Sequence, residues 1–225
     1  MDGLGRIYDY GLWPLAIIHI SIFVFFIFSF LLPKNKKKYE WRSLGVFTGF
    51  IVALFLEMYG FPLTIYFLSP LLINKLGIND PFSHLKGHLW GTLLGLPNWA
   101  GALICLLGSL VMVGGIWVIV AGWRKIHRAD NQLVTDGIYG YIRHPQYLGI
   151  FFVTTGAMIQ WPTIITILMW PVLIFFYIAL SKREEKEMER IFGLSYVEYR
   201  SNVSAFMFRF PKKGSHAATQ KNKFL

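Results

Sequence analysis

Trp13–Leu32, WPLAIIHISIFVFFIFSFLL, runs for twenty residues without a Lys, Arg, Asp or Glu and stops at Pro33 and the basic run KNKKK. A helix of roughly 20 apolar residues crosses a bilayer core of about 30 Å. Three further apolar blocks follow: Leu44–Leu72, Asn98–Gly122 and Tyr147–Leu180. Ordinary soluble domains carry about 25% charged residues and break their apolar runs with turns. Here 15% are charged and 55% hydrophobic. The pattern excludes a water-soluble globule, a disordered chain and a DNA-binding module, and predicts an integral membrane protein. The first block does not read as a cleavable signal: Asp2 and Asp9 precede it with only Arg6, and no small-residue cleavage site follows.

Block lengths give the helix count. Leu44–Leu72 would be about 43 Å as one helix, so Pro62 and Pro70 are expected to end or bend it. Tyr147–Leu180 would be about 51 Å, with Gln160-Trp161-Pro162-Thr163 near its middle. Pro162 removes a backbone donor and disfavours helix at Trp161. The economical reading is a helical hairpin with a short first arm of about 14 residues, or about 21 Å, and a longer second arm. Its turn then sits in protein or near the far interface. The expected fold is all-α, a polytopic bundle of about five membrane helices ending in this hairpin, with a cytosolic cofactor pocket. Residues 1–97 would form N-terminal membrane helices and an outer loop, 98–210 the core, and 211–225 a loose basic tail.

Charge sets the sidedness. Nineteen of the 22 Lys and Arg fall in 33–43, 123–146 and the stretch after 181, leaving Arg6, Lys75 and Lys86. Five spans with the N-terminus outside put all three basic regions in the cytoplasm, as the positive-inside rule requires. The net charge of +10 is therefore a topology signal, with membrane lipids as partners and no nucleic acid. The single cysteine, Cys105, excludes a disulfide framework and a Cys-based zinc site, and it reads as a small packing residue. His84 and His88 have i, i+4 spacing, but Gly87 lies between them without a third ligand; no metal is expected. No repeat or inverted pattern of the transporter kind appears.

Polar residues concentrate in two cytoplasmic stretches, Trp123–Gly149 and Ser181–Arg200. They flank the hairpin, and the open ends of a hairpin are neighbours. The series Leu133-Val-Thr-Asp-Gly-Ile-Tyr139, Arg143-His-Pro-Gln-Tyr-Leu-Gly149, Glu184-Glu185 and Phe192-Gly193-x-x-Tyr196-x-x-Tyr199 resembles integral membrane methyltransferases. That family is typified by isoprenylcysteine carboxyl methyltransferase and the phospholipid N-methyltransferases. The resemblance implies S-adenosylmethionine held at the cytosolic face and a lipid-like substrate entering from the bilayer. It implies cofactor contacts at Asn131, Gln132, Leu133, Val134, Tyr139, His144, Pro145, Gln146, Tyr147 and Glu184. Tyr139 and Tyr147 offer π faces to a cation, and Glu184 suits the amino group or ribose hydroxyls. His144 suits the amino-acid end, Pro145 stiffens the chain, and backbone at 131–134 suits the adenine. No GxGxxG is present, so a soluble Rossmann domain is not expected.

Each residue has a plainer reading beside this one. Arg143 and His144 could be interfacial charges; Ser181 and Glu184 could form an S-x-x-E capping box, or the helix could run straight out of the membrane. Glu185, Glu187 and Glu189 read as solvated, and Phe192, Tyr196 and Tyr199 as packing. Glu57 lies deep in the second span, where a carboxylate is expensive; it could orient a substrate amine, act as a base, or pair with His19 or a tyrosine. A carboxylate acceptor needs no base, whereas a thiol or ammonium does, making Glu57, Glu184 and His144 the catalytic candidates. The prenylcysteine-methylating relatives place a substrate-carboxylate arginine four residues before the cofactor glutamate. Here that position is Leu180, with Lys182 or Arg183 as substitutes from another angle. The acceptor is thus an isoprenylcysteine-type carboxylate, a phospholipid amine or a small thiol. The rivals are a non-catalytic transporter or assembly subunit, and an intramembrane hydrolase using Ser109 and a histidine, although the Gly108 beside Ser109 speaks for close helix packing.

Overall fold

The computed structural model describes residues 39–59, 63–64, 94–129 and 132–207, with single helical positions at 17, 18, 20, 21, 24, 25, 67 and 90. Most of Trp13–Leu32, together with His19, Pro62, Pro70, His84, His88, Asn131 and everything after 207, lies outside the described residues. Among the described residues five helices follow in order: α1 (Tyr39–Tyr59), α2 (Asn98–His127), α3 (Pro145–Gln160), α4 (Ile164–Phe192) and α5 (Leu194–Asn202), with a 3-10 turn at Gly137–Gly140. Among the described residues the only β pairing is a parallel bridge between Ile142 and Ser204. α2 and α4 are each long and apolar enough to cross a membrane.

The expected hairpin is present as α3, Trp161-Pro162-Thr163 and α4. A turn in an apolar environment must satisfy the free N–H groups of the helix it starts. Thr163 does so with a reciprocal capping box: its Oγ1 accepts from Thr166 N at 3.0 Å, and Thr166 Oγ1 accepts from Thr163 N at 3.2 Å. Ile164 N donates to Thr64 Oγ1 at 2.8 Å, and Thr64 N donates to Glu57 Oε2 at 3.0 Å. Glu57 therefore has a local partner, and this relay ties the end of α1 to the hairpin turn. All four of these polar side chains are buried. Below them Phe50, Ala53 and Leu54 of α1 join Leu173, Phe176, Tyr177 and Leu180 of α4 in one apolar core.

α2 and α3 pack through glycines seven residues apart. A methyl group at Gly115 would stand 2.7 Å from Gly149 O, and one at Gly156 would stand 2.6 Å from Gly108 O. Small residues let backbones approach where lipid provides no hydrophobic drive. Beside Gly108, Gln160 Nε2 donates to Ser109 Oγ and to Cys105 O, so Ser109 serves helix packing. Leu103, Leu107, Leu110, Val113 and Trp117 stand exposed on α2, as a lipid-facing surface requires. α4 continues without a break through Ser181–Glu185, which decides against a new helix capped by Ser181; its Oγ donates to Ile178 O at 2.9 Å.

Candidate functional site

The chain between α2 and α3 folds against the open end of the hairpin. Gly137 takes φ +62°, a region that strains residues with a Cβ, and the loop is clipped to α2 by the Lys125–Asp136 ion pair. Tyr199 Oη donates to Tyr139 O at 2.7 Å. The segment after α5 then returns alongside: Arg143 N donates to Ser204 O at 2.9 Å and His144 N to Ala205 O at 3.1 Å. Pro145 opens α3, where a missing N–H costs nothing. Residues 142–144 are thus held from both sides.

Four charged or polar groups meet at this end. Glu185 Oε1 accepts from Arg143 Nη2 at 2.7 Å, Arg143 Nε at 3.1 Å and His144 Nε2 at 3.1 Å. Arg143 Nη1 also donates to Arg200 O at 2.8 Å and to Val203 O. The Glu185 side chain is 14% exposed, that of Glu184 37%. The reading of Glu185 as a solvated acid is therefore corrected: it is the half-buried counter-ion of Arg143 and His144. The last three turns of α4, from Lys182 to Phe192, carry eight charged residues and project beyond its apolar part. There, burial pushes the Glu185 carboxyl up, but the hydrogen bonds and charges of His144 and Arg143 outweigh it and hold the group down at about 2.

Rings line the other side. His144 and Tyr147 stack with centroids 5.6 Å apart and planes 9° apart. Tyr147 Oη donates to Glu184 Oε1, and His144 Nδ1 lies 3.6 Å from Glu184 Oε2. Tyr177 packs 5.0 Å from Tyr147 and 6.2 Å from Phe151, while Phe206 lies 5.7 Å from both His144 and Phe151. The result is a box of five rings beside a carboxylate that keeps partial access to solvent. Tyr139 is buried nearby, and burial together with the Glu184 charge raises its hydroxyl above the usual tyrosine range.

The expected residues divide by position. His144, Tyr147 and Glu184 are in mutual contact, and Tyr139 is within electrostatic reach. Pro145 and Gln146 lie against Gly122 of α2, where a methyl group would be 3.2 Å from each side chain. Gln132 is exposed, Val134 is half-buried, and Leu133 packs on Tyr196, Tyr199 and Val203; Asn131 lies outside the described residues. Glu57 is not brought to this group. It sits by the turn end, whereas Glu184 is twenty residues along α4 from Ile164, about 30 Å at 1.5 Å per residue. Leu180 is buried in the core, and Lys182 and Arg183 are exposed. Sequence reasoning missed Glu185, Phe151, Tyr177 and Phe206. Their only signal was spacing: Tyr147 and Phe151 are four apart, and Tyr177 and Glu184 seven apart, each pair on one helix face.

Residues 96–195 match the family described as Phospholipid methyltransferase. The chain is also similar to named enzymes over overlapping stretches. It is 36% identical over 75 residues to the protein-S-isoprenylcysteine O-methyltransferase of Schizosaccharomyces pombe, covering 33% of this chain and 32% of that one. It is 34% identical over 113 residues to that of Dictyostelium discoideum, covering 47% and 46%. To protein-S-isoprenylcysteine O-methyltransferase B of Arabidopsis thaliana it is 30% identical over 129 residues, covering 54% and 61%. The chain thus spans between a third and three fifths of the length of these curated relatives. No solved structure matches it. The family segment ends before Phe206 and the Arg143 acceptors of Val203, so the site extends past the matched region.

Proposed function

We propose that this chain is an S-adenosylmethionine-dependent methyltransferase of the membrane. It moves a methyl group to a hydrophobic or membrane-embedded acceptor: an isoprenylcysteine-type carboxylate, a phospholipid amine or a small thiol. The observation that carries the reading is the contact of His144, Tyr147 and Glu184 at the open end of the hairpin. The family match and the relatives' names support methyl transfer, and the apolar helices support a membrane setting. In this reading the chain has five spans with the N-terminus outside, and the site and C-terminus face the cytoplasm.

The donor set fits the cofactor. Glu184 is a partly exposed carboxylate suited to an ammonium or ribose hydroxyls, and each ring facing a cation contributes about 0.5–2 kcal/mol. Backbone at 131–134 would serve the adenine, and Tyr139 would close the loop side. When bound, the cofactor supplies an electrophilic methyl group on a positively charged sulfur. The chain's own residues orient the two reactants and exclude water from between them. An amine or thiol acceptor must also lose a proton, for which Glu184 and His144 are in position and Glu57 is not.

Two experiments test this. S-adenosylhomocysteine should raise the unfolding temperature of the detergent-purified protein, by mass action, and Glu184→Gln should abolish the shift. Methyl-labelled cofactor should label membranes containing the protein but not those with His144→Ala. Base-labile label identifies a carboxyl ester, base-stable lipid label an N-methylated phospholipid, and volatile label a thioether. No thermal shift at millimolar ligand together with no labelling would overturn the assignment and favour a non-catalytic membrane protein.

A further inference from the structure

Tyr177 is 3% exposed, yet its hydroxyl has no hydrogen-bond partner among the described residues; its ring belongs to the α1–α4 core and packs on the rings of Tyr147 and Phe151. A buried phenol ordinarily finds a partner, because leaving it unpaired costs about 1–3 kcal/mol. Nor is this hydroxyl sealed in packing. Among the described residues the one fully enclosed side-chain polar atom lacking a partner is Trp170 Nε1, so the small exposure left to Tyr177 includes its oxygen. The oxygen is therefore not completely enclosed by the protein.

Position makes this specific. Tyr177 precedes Glu184 by seven residues of α4, two turns on the same face and about 10 Å nearer the apolar half of the helix. Tyr147 joins the two, with its hydroxyl on Glu184 and its ring on Tyr177. Trp170 continues the line seven residues further in. The box thus has a polar end at Glu184, accessible from outside the apolar part, and an inner end at Tyr177 walled by Phe151. Arg143 is turned away from that inner end, taken up by Glu185, Arg200 O and Val203 O.

We propose that Tyr177 binds the methyl acceptor, its hydroxyl hydrogen-bonding the head-group atom that is to be methylated or the atom beside it. The acceptor's apolar chain then extends from the box toward the membrane side of α3 and α4. This rests on the methyltransferase reading above, with Glu184 and His144 on the cofactor and Tyr177 on its partner. The assignment makes Tyr177 a specificity residue and separates the two ligands along one helix face.

The test uses the full-length protein in lipid nanodiscs, as wild type, Tyr177→Phe and Glu184→Gln. Tyr177→Phe keeps the ring and deletes one oxygen, so folding is preserved. Three acceptor probes are offered: N-acetyl-S-farnesyl-cysteine, dioleoyl-phosphatidylethanolamine and dodecanethiol. Binding of S-adenosylhomocysteine is measured alongside by calorimetry. The expected result is a fall of about tenfold in kcat/KM for Tyr177→Phe on whichever probe the wild type methylates, the loss of one hydrogen bond. Its S-adenosylhomocysteine affinity should stay within twofold of wild type, while Glu184→Gln loses that affinity. Unchanged kcat/KM in Tyr177→Phe overturns the proposal, as does a parallel loss of S-adenosylhomocysteine binding. If the wild type binds S-adenosylhomocysteine but neither binds nor methylates any probe, the acceptor assignment falls and the cofactor reading stands. If it binds no S-adenosylhomocysteine, the methyltransferase reading itself falls.

Discussion

Gly115 and Gly149 face each other with their backbones in contact: a methyl group on either would lie 2.6–2.7 Å from the other's carbonyl oxygen. The contact matters for the site because α3 begins at Pro145, four residues before Gly149. Whatever displaces α3 from α2 also displaces His144 and Tyr147. The glycine seam is therefore the rigid mounting of the ring box.

Gly149→Ala should destabilise the protein by about 1–3 kcal/mol, the usual cost of overpacking. Its methyl would meet Gly115 O at 2.6 Å and Ile119 Cγ1 at 2.5 Å, and a backbone oxygen cannot turn aside as a side chain can. Gly114→Ala is the internal control, since nothing lies within 4 Å of a methyl there. It should be neutral or stabilise by up to about 1 kcal/mol, the helix preference of alanine over glycine. Thermal unfolding of both variants in one detergent separates the two outcomes.

Arg143→Lys should not behave as a conservative change. The guanidinium reaches Glu185, Arg200 O and Val203 O at once, a fork that a single ammonium cannot reproduce. With hydrogen bonds to charged groups contributing about 1.5–3 kcal/mol each, a loss of roughly 2–3 kcal/mol is expected. The segment carrying Phe206 should detach first. Limited proteolysis should cut the variant after α5 faster than wild type; equal rates would mean that the backbone bonds from 143 and 144 hold the segment unaided.

Glu185 gives a pH dependence with a definite sign. Its carboxyl is lowered from 4.5 to about 2 in the folded protein, so the unfolded chain takes up its proton first as pH falls. The stabilisation is complete above the ordinary value near 4.5 and disappears as pH falls toward 2. Glu185→Gln removes the ionisation. The unfolding-temperature gap between wild type and this variant should be constant above about pH 5.5 and narrow steadily below pH 4.5. A gap that stays constant down to pH 3 would show that the pair contributes through shape rather than charge.

What was legible in the sequence follows from what is local. The α3–α4 hairpin could be read from Pro162 and the length of its apolar block, because a proline and a span length need no knowledge of the rest of the chain. His144, Tyr147 and Glu184 were found through a motif series. Glu185 was misread because it sits in the run Glu-Glu-Lys-Glu-Met-Glu, which looks like a solvated face. Its partners Arg143 and His144 lie 42 and 41 residues away in the chain. Tyr177 and Phe151 were hidden in apolar spans where an aromatic residue is unremarkable. Phe206 was out of reach because only the backbone pairing of Ser204 and Ala205 with 143 and 144 brings it to the box.

Tyr147 separates two roles that the site combines, and its variants should divide them. Its hydroxyl donates to Glu184, while its ring stacks on His144 and packs against Tyr177. If the hydroxyl chiefly orients Glu184 toward the cofactor, Tyr147→Phe should weaken S-adenosylhomocysteine binding about three- to tenfold, one hydrogen bond's worth. Tyr147→Leu also removes the π face opposed to a cation, so S-adenosylmethionine, which carries the sulfonium, should lose more affinity than S-adenosylhomocysteine, which does not. A difference of about 0.5–2 kcal/mol between the two ligands is the expected size of that term. Glu184→Gln should weaken both ligands alike, because the groups it serves are common to them. Calorimetric titration of both ligands into the three variants gives the full comparison. Equal losses of the two ligands in Tyr147→Leu would show that this ring shapes the pocket without facing the positive sulfur.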